Sequence, residues 1–367
     1  MNPLTSAYTL LRSGPALLSL TALAVLTSCS NFTSVVTHAP AKYIVGADIS
    51  AVPAAEDRGT HYSDNGVQKD ILQILQDHGF NYVRLRVFVE PANPGGYSPQ
   101  GYCDLPHTIA MAKRVKTAGM GLLIDFHYSD TWADPAKQTK PLAWRELAFP
   151  DLVKRLHDYT RDAVAQLKAA GAEPDMVQVG NEITPGMLLN RMPAGGRGGG
   201  AARDVSAQPE GSVRDWTKLG ILLKAGISAV KEVDPAILVM LHIDKGGDNA
   251  ATRNWVDHAL AEGVTFDILG ESCYTQWQGK PDSWQANFDD LVRRYPKLSF
   301  VIAEVADEVH ATNAIMRSLP DHRGLGTFIW EPTQNGNRQG LFDRNGRVLP
   351  DKMGQYDQVV KDYGPNK

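Results

Sequence analysis

Three cysteines in 367 residues are too few for a disulfide framework. Basic and acidic side chains nearly cancel, 37 against 41, so the chain carries no electrostatic footprint for nucleic acid. It has no His-Glu-x-x-His, no closely spaced His or Cys set and no Gly-x-Ser-x-Gly elbow. These absences leave zinc-hydrolase and serine-hydrolase chemistry without their usual residues. The glycine cluster at residues 194–202, AGGRGGGAA, follows no strand and lacks a terminal Lys-Ser/Thr, so it reads as a loop and not a phosphate cradle. Neither a metal nor a cofactor is called for, and a neutral or weakly charged substrate fits the balance.

The apolar run at residues 15–26, just after Arg12, is too short to span a bilayer but suits the core of a signal peptide. It ends in Leu26-Thr27-Ser28-Cys29, which resembles a bacterial lipobox with Cys29 as the lipidated residue. An ordinary signal peptide with an incidental cysteine is the other reading. Either way residues 1–28 mark an exported protein, secreted or held at the cell envelope, and any membrane contact runs through Cys29. Residues 29–42 are small and polar and read as a tether. Cys103 and Cys273 remain, as one disulfide or two buried thiols.

From residue 43 onward, short apolar runs alternate with longer amphipathic ones. Candidate strands fall at residues 43–48, 82–87, 121–127, within 176–186, and at 237–242, 266–270, 298–303 and 325–330. Helical spacing follows each, beginning with Val67, Ile71, Ile74 and Leu75. Such alternation implies parallel strands covered by helices. Eight units without a break predict a single α/β domain, a (β/α)8 TIM barrel, over residues 43–367.

Chemistry in such a barrel gathers where the strands end. Here the ends carry Arg86, then His127 with Asp130 and Trp132, then Asn181-Glu182, His242, Tyr274, Glu304 and Trp330. Seven polar or aromatic strand ends at one rim are hard to explain as packing. Carboxylates, aromatics, Arg, His and Asn are the inventory of glycoside hydrolysis: one carboxyl protonates the leaving oxygen, another attacks or activates water, and rings pack on sugar faces. Glu182 and Glu304 both follow apolar, β-branched runs (VQVGNE and FVIAEV) and, on strands four and seven, are well placed to face each other across the mouth of such a barrel. Asp125 lies inside its strand and reads as structural. Glu331 reads as a loop contact, and the competing Glu271 as a salt-bridged group in the barrel wall.

The segments GADIS, NYVRLRVFVEP, DFHYSDTWADP, VQVGNEI, ILVMLHID and FIWEP, in order along the chain, resemble glycoside hydrolase family 53, the retaining arabinogalactan endo-β-1,4-galactanases. The resemblance implies that Glu182 is the acid/base and Glu304 the nucleophile. It implies that Arg86 and Tyr274 hold Glu304 ionised, that Asn181 bonds the sugar 2-hydroxyl, and that His127 and His242 complete the support. Trp330 would lie under the sugar at the cleaved bond, with Asp130 and Trp132 touching the chain nearby. The expected enzyme is a monomer acting on β-1,4-galactan. Leu189-Asn190 stand where the family has Trp-Pro, and the segment between Glu304 and Gly324 leaves little room for the calcium loop of some members. The alternatives are another β-1,4-glycanase of the clan, on mannan or glucan, and a non-catalytic glycan-binding surface lipoprotein.

Overall fold

A computed structural model describes residues 42–189, 210–333 and 340–365. Eight strands form one closed parallel barrel. They are β1 (Ile44–Asp48), β2 (Tyr82–Val87), β3 (Gly121–Phe126), β4 (Met176–Val179), β5 (Leu238–Ile243), β6 (Ile268–Cys273), β7 (Ser299–Val305) and β8 (Gly324–Trp330). Each pairs with the next, and β8 closes onto β1 through Ile44 opposite Gly326. The outer layer is α1 (Ile71–Asp77), α2 (Leu105–Thr117), α3 (Phe149–Ala169), α4 (Trp216–Val233), α5 (Asn249–Ala261), α6 (Pro281–Arg294), α7 (Val309–Ser318) and α8 (Pro350–Tyr363).

The helices begin where the sequence offers a cap. Asp70, Asp104, Asp215 and Asp248 each accept a backbone N–H of the first turn of α1, α2, α4 and α5, which satisfies a donor that the helix cannot. Val67 does not join α1. It lies exposed in a hairpin of Ser63–Asp64 with Val67–Gln68; the helix starts after the Asp70 cap, so spacing alone overran its boundary.

Alternation along the strands creates two apolar layers. Val83, Ile124, Val177 and Leu241 face the helices. Tyr82, Leu123, Met176 and Leu238 fill the barrel floor. Inward positions further along are polar instead: Asp48, Arg84, Asp125, His242 and Glu304 are all buried. The apolar floor thus seals a polar layer that opens at the strand ends. Cys103 and Cys273 are buried free thiols, not a disulfide.

Candidate active site

Arg84 and Arg86 lie two apart on β2, so both point into the barrel. Their partners differ. The Arg84 guanidinium donates from Nη1 to Glu304 Oε1 at 2.9 Å and to Asp48 at 3.2 Å. Its Nη2 donates to Asp125 and to Asn181 Oδ1, each at 2.8 Å, and its Nε to Gln178 Oε1 at 3.3 Å. Arg86 instead donates to Glu331 and, at 3.0 Å, to the Tyr97 hydroxyl, with its charge 4.4 Å from the Trp132 ring centroid. The cation holding Glu304 is therefore Arg84 and not the expected Arg86. The signal was the i, i+2 spacing: the deeper arginine reaches a carboxylate inside the barrel, while the one at the rim reaches the loop after β8. Glu331 does lie in that loop, just past the end of β8, but it is fully buried against Arg86.

Local backbone breaks aim the two central carboxyls. After Val179 the chain turns at Gly180, φ 86°, where a Cβ would lie 2.6 Å from Ile183. That turn ends the strict alternation and brings both Asn181 and Glu182 to the mouth. Glu182 has φ 45°, a left-handed conformation costing a side-chain-bearing residue roughly 1–2 kcal/mol. On β7 the register slips between Glu271 opposite Ile302 and Ser272 opposite Glu304. This bulge turns Glu304 inward beside Ala303, as bulges next to active sites do.

The surroundings of the two carboxyls are opposite in kind. Glu304 accepts from Arg84 and, through Oε2, from the Tyr274 hydroxyl at 2.9 Å. Burial leaves its pKa raised, although Arg84 and Tyr274 pull against that rise. Glu182 meets no cation among the described residues. Its Oε1 lies 2.6 Å from Ser272 Oγ. Burial and the neighbouring Glu304 raise its pKa well above the ordinary carboxylate range. When the pair holds one proton, Glu182 keeps it.

The remaining residues frame this pair. Burial opposes the charge on Asp125, yet Arg84 and His127 hold its carboxyl below the usual value. His127 Nε2 lies 3.0 Å from Asp125, and its Nδ1 accepts from the Ala133 N–H at 3.1 Å. His242 is kept neutral by burial and by Arg84. Asp130 is spent on the loops, accepting from the N–H groups of Glu90 and Leu142 and from Asn93 Nδ2. Half-buried Trp132 and Trp330 stand 6.1 Å apart between centroids at the mouth. Trp277, 68% exposed, lies edge-on to Tyr274 in the loop after β6. Glu271 points out of the barrel, where it accepts from the Thr252 hydroxyl and the Lys245 N–H, each at 3.0 Å. It makes hydrogen bonds there, not the expected salt bridge. Sequence reasoning missed Arg84, Gln178, Ser272 and Trp277, although the first three sit at inward positions of their strands.

Residues 44–315 match Glycosyl hydrolase family 53. The chain belongs to that family. An arabinogalactan endo-beta-1,4-galactanase of Cellvibrio japonicus is 35% identical, covering 92% of this chain and 77% of that protein. The Bacillus subtilis endo-beta-1,4-galactanase is 32% identical over 79% of this chain and 70% of its own length. An uncharacterised protein of Niallia circulans is 45% identical over 88% and 97% of the two chains. Among solved structures, the family 53 catalytic domain of Ignisphaera aggregans superposes with a TM-score of 0.74 at 32% identity, covering 88% of this chain and 97% of that one. At the position where the sequence departs from the family 53 pattern, Leu189 is buried and its carbonyl accepts from the Lys140 N–H. It is a packing residue and not a sugar platform. Asn190, the glycine cluster at 194–202 and Cys29 lie outside the described residues.

Proposed function

We propose that this protein is a retaining endo-β-1,4-galactanase acting on galactan and arabinogalactan. The observation that carries the reading is the pair of buried carboxyls in contrasting surroundings, Glu304 against Arg84 and Tyr274, Glu182 beside a hydroxyl alone. Glu304 attacks the anomeric carbon while Glu182 gives its proton to the departing glycosidic oxygen. The C–O bond breaks and a glycosyl–Glu304 ester forms. Esterification removes the charge that raised the pKa of Glu182. The pKa falls, and Glu182 takes a proton from the water that attacks the ester and frees Glu304. Asn181, fixed by Arg84, offers its amide to the 2-hydroxyl. Trp330 and Trp132 supply apolar faces to the sugars, and His127 holds the Asp125–Arg84 pair beneath them.

Proton NMR of products released from pectic galactan tests the reading. The first anomer to appear should be β, and Glu182→Gln or Glu304→Gln should abolish its release. An α-anomer at first appearance overturns retention. Cleavage of mannan or β-glucan in place of galactan would assign the site to another β-1,4-glycanase. The proposal extends to residues 1–28 as an export signal, Cys29 as a lipidated residue and residues 29–42 as the tether of a monomeric enzyme. Palmitate labelling that survives Cys29→Ala overturns the anchor, and light scattering gives the mass.

A further inference from the structure

The donor and acceptor sense of the contacts behind Glu182 is fixed from its far end. Arg84 has hydrogens to give and no lone pair to offer. Its Nη2 lies 2.8 Å from Asn181 Oδ1, while Asn181 Nδ2 lies 2.8 Å from the Ala133 carbonyl, which only accepts. The Asn181 amide therefore cannot be turned round. His242 Nδ1 sits 3.0 Å from that same Oδ1. Two acceptors would repel at this distance, so Nδ1 carries a hydrogen. Gln178 Nε2 is 3.2 Å from Nδ1, but its two hydrogens have takers in Asp125 Oδ1 at 2.6 Å and the Gly180 carbonyl at 3.1 Å.

A neutral imidazole with its hydrogen on Nδ1 has a bare Nε2. That atom lies 2.9 Å from Ser272 Oγ, so Ser272 gives its single hydrogen to His242. The serine oxygen is then left as an acceptor, 2.6 Å from Glu182 Oε1. The hydrogen in that contact must belong to Glu182.

We propose that Ser272 and His242 are positioning residues that, wired through Asn181 to Arg84, make the protonated form of Glu182 the fully satisfied one. The proposal rests on the reading of Glu182 as acid/base and adds how its proton is held. In the resting enzyme the proton lies on Oε1 against Ser272, until the glycosidic oxygen competes for it. Once the proton has left, Ser272 can turn its hydrogen to the carboxylate only by stripping His242 Nε2, a buried lone pair, of its donor. The anion is thus imperfectly solvated and stays a strong enough base to deprotonate water. Ser272 and His242 gain and lose no proton over the cycle.

Other groups also bear on the titration: Glu304, Asp244, Asp134 and Tyr274 face Glu182, while Arg84, Asp125 and His127 face His242. The test therefore reads the wiring directly. Long-range proton–nitrogen correlation on histidine-labelled, full-length protein at pH 7 should find His242 neutral with its hydrogen on Nδ1. A hydrogen on Nε2, or an imidazolium, overturns the proposal. In His242→Phe the serine hydrogen is released to the carboxylate, so the alkaline limb of kcat/KM should move to lower pH by about one unit. A limb that stays or moves upward overturns the proposal, because the opposite wiring would make His242 a donor toward the anion. Should His242→Phe fail to fold, Ser272→Ala should shift the His242 Nε2 resonance toward an unbonded nitrogen while Nδ1 keeps its hydrogen; an unchanged Nε2 resonance overturns the contact. Full activity in Glu182→Gln with the Nδ1 tautomer intact would sink the acid/base reading and not the wiring.

Discussion

Arg84 Nη1 lies 2.9 Å from Glu304 Oε1, and both groups are buried inside the barrel. Removing the cation leaves Glu304, Asp125 and Asp48 without their shared ion pair, with only Tyr274, His127 and Arg86 as remaining partners. Such a loss typically costs about 3–5 kcal/mol of stability. Arg84→Met should therefore melt well below wild type and retain no measurable galactan hydrolysis. Arg84→Lys, which keeps the charge and loses the fork, should fold and lose roughly 10²–10³-fold in kcat. Thermal melts and steady-state kinetics read both. A lysine variant at full activity would remove the guanidinium geometry from the mechanism.

Tyr274 donates its hydroxyl to Glu304 Oε2 at 2.9 Å. Tyr274→Phe keeps the ring against Trp277 and deletes only that bond. We expect an unchanged melting temperature within about 2 °C and a fall in kcat of roughly 10–10²-fold. Loss of the donor also removes a group that lowers the Glu304 pKa. The acid limb of the pH profile should move upward, since a higher pH is then needed to ionise the nucleophile.

Glu271 gives a stability prediction free of catalysis. Burial raises its pKa to about 8. Between an unfolded carboxyl near 4.5 and this value, the folded state holds a proton that the unfolded state has released. Its contribution is therefore present at acid pH and lost as pH rises through that window. Glu271→Gln should flatten this loss. At pH 9 the variant should gain roughly 1–4 kcal/mol over wild type, with little difference at pH 4. Denaturant melts at the two pH values decide it, and equal destabilisation at both would show that the carboxyl is ionised in the fold.

Arg86 contacts Trp132 and not Glu304, so we expect it to act through the proposed sugar platform. It spans Glu331, Tyr97 and the face of Trp132. Trp132→Ala should raise KM for galactan by roughly 10-fold with a smaller change in kcat, as expected for a lost stacking surface worth about 1–2 kcal/mol. Arg86→Met should move KM the same way by unseating the ring. A pure kcat defect in either variant would place these residues elsewhere in the cycle.

The barrel was legible because a buried parallel strand writes itself as a short apolar run, and eight such runs lay where the eight strands form. The site was legible in outline for a similar reason. Charge at the end of an apolar run is expensive, so Glu182 and Glu304 stood out. Val67 was misplaced in α1, because helical spacing carries no sign of where a cap begins. Glu331 was legible as a loop residue beside Pro332, but its burial against Arg86 shows only once the barrel closes.

The sequence by itself determined the strand count and the family and singled out the two carboxyls as candidates, since each rests on local patterns of neighbouring residues. Only the tertiary structure decided which arginine serves Glu304, that Glu271 faces the helices, and that Ser272 and His242 stand behind Glu182. Those pairings join residues up to 220 positions apart. They depend on two local breaks, the Gly180 turn and the β7 bulge, which shift side-chain direction by one residue. Alternation read from a sequence cannot see such a shift, because the break shows only when neighbouring strands are brought into register.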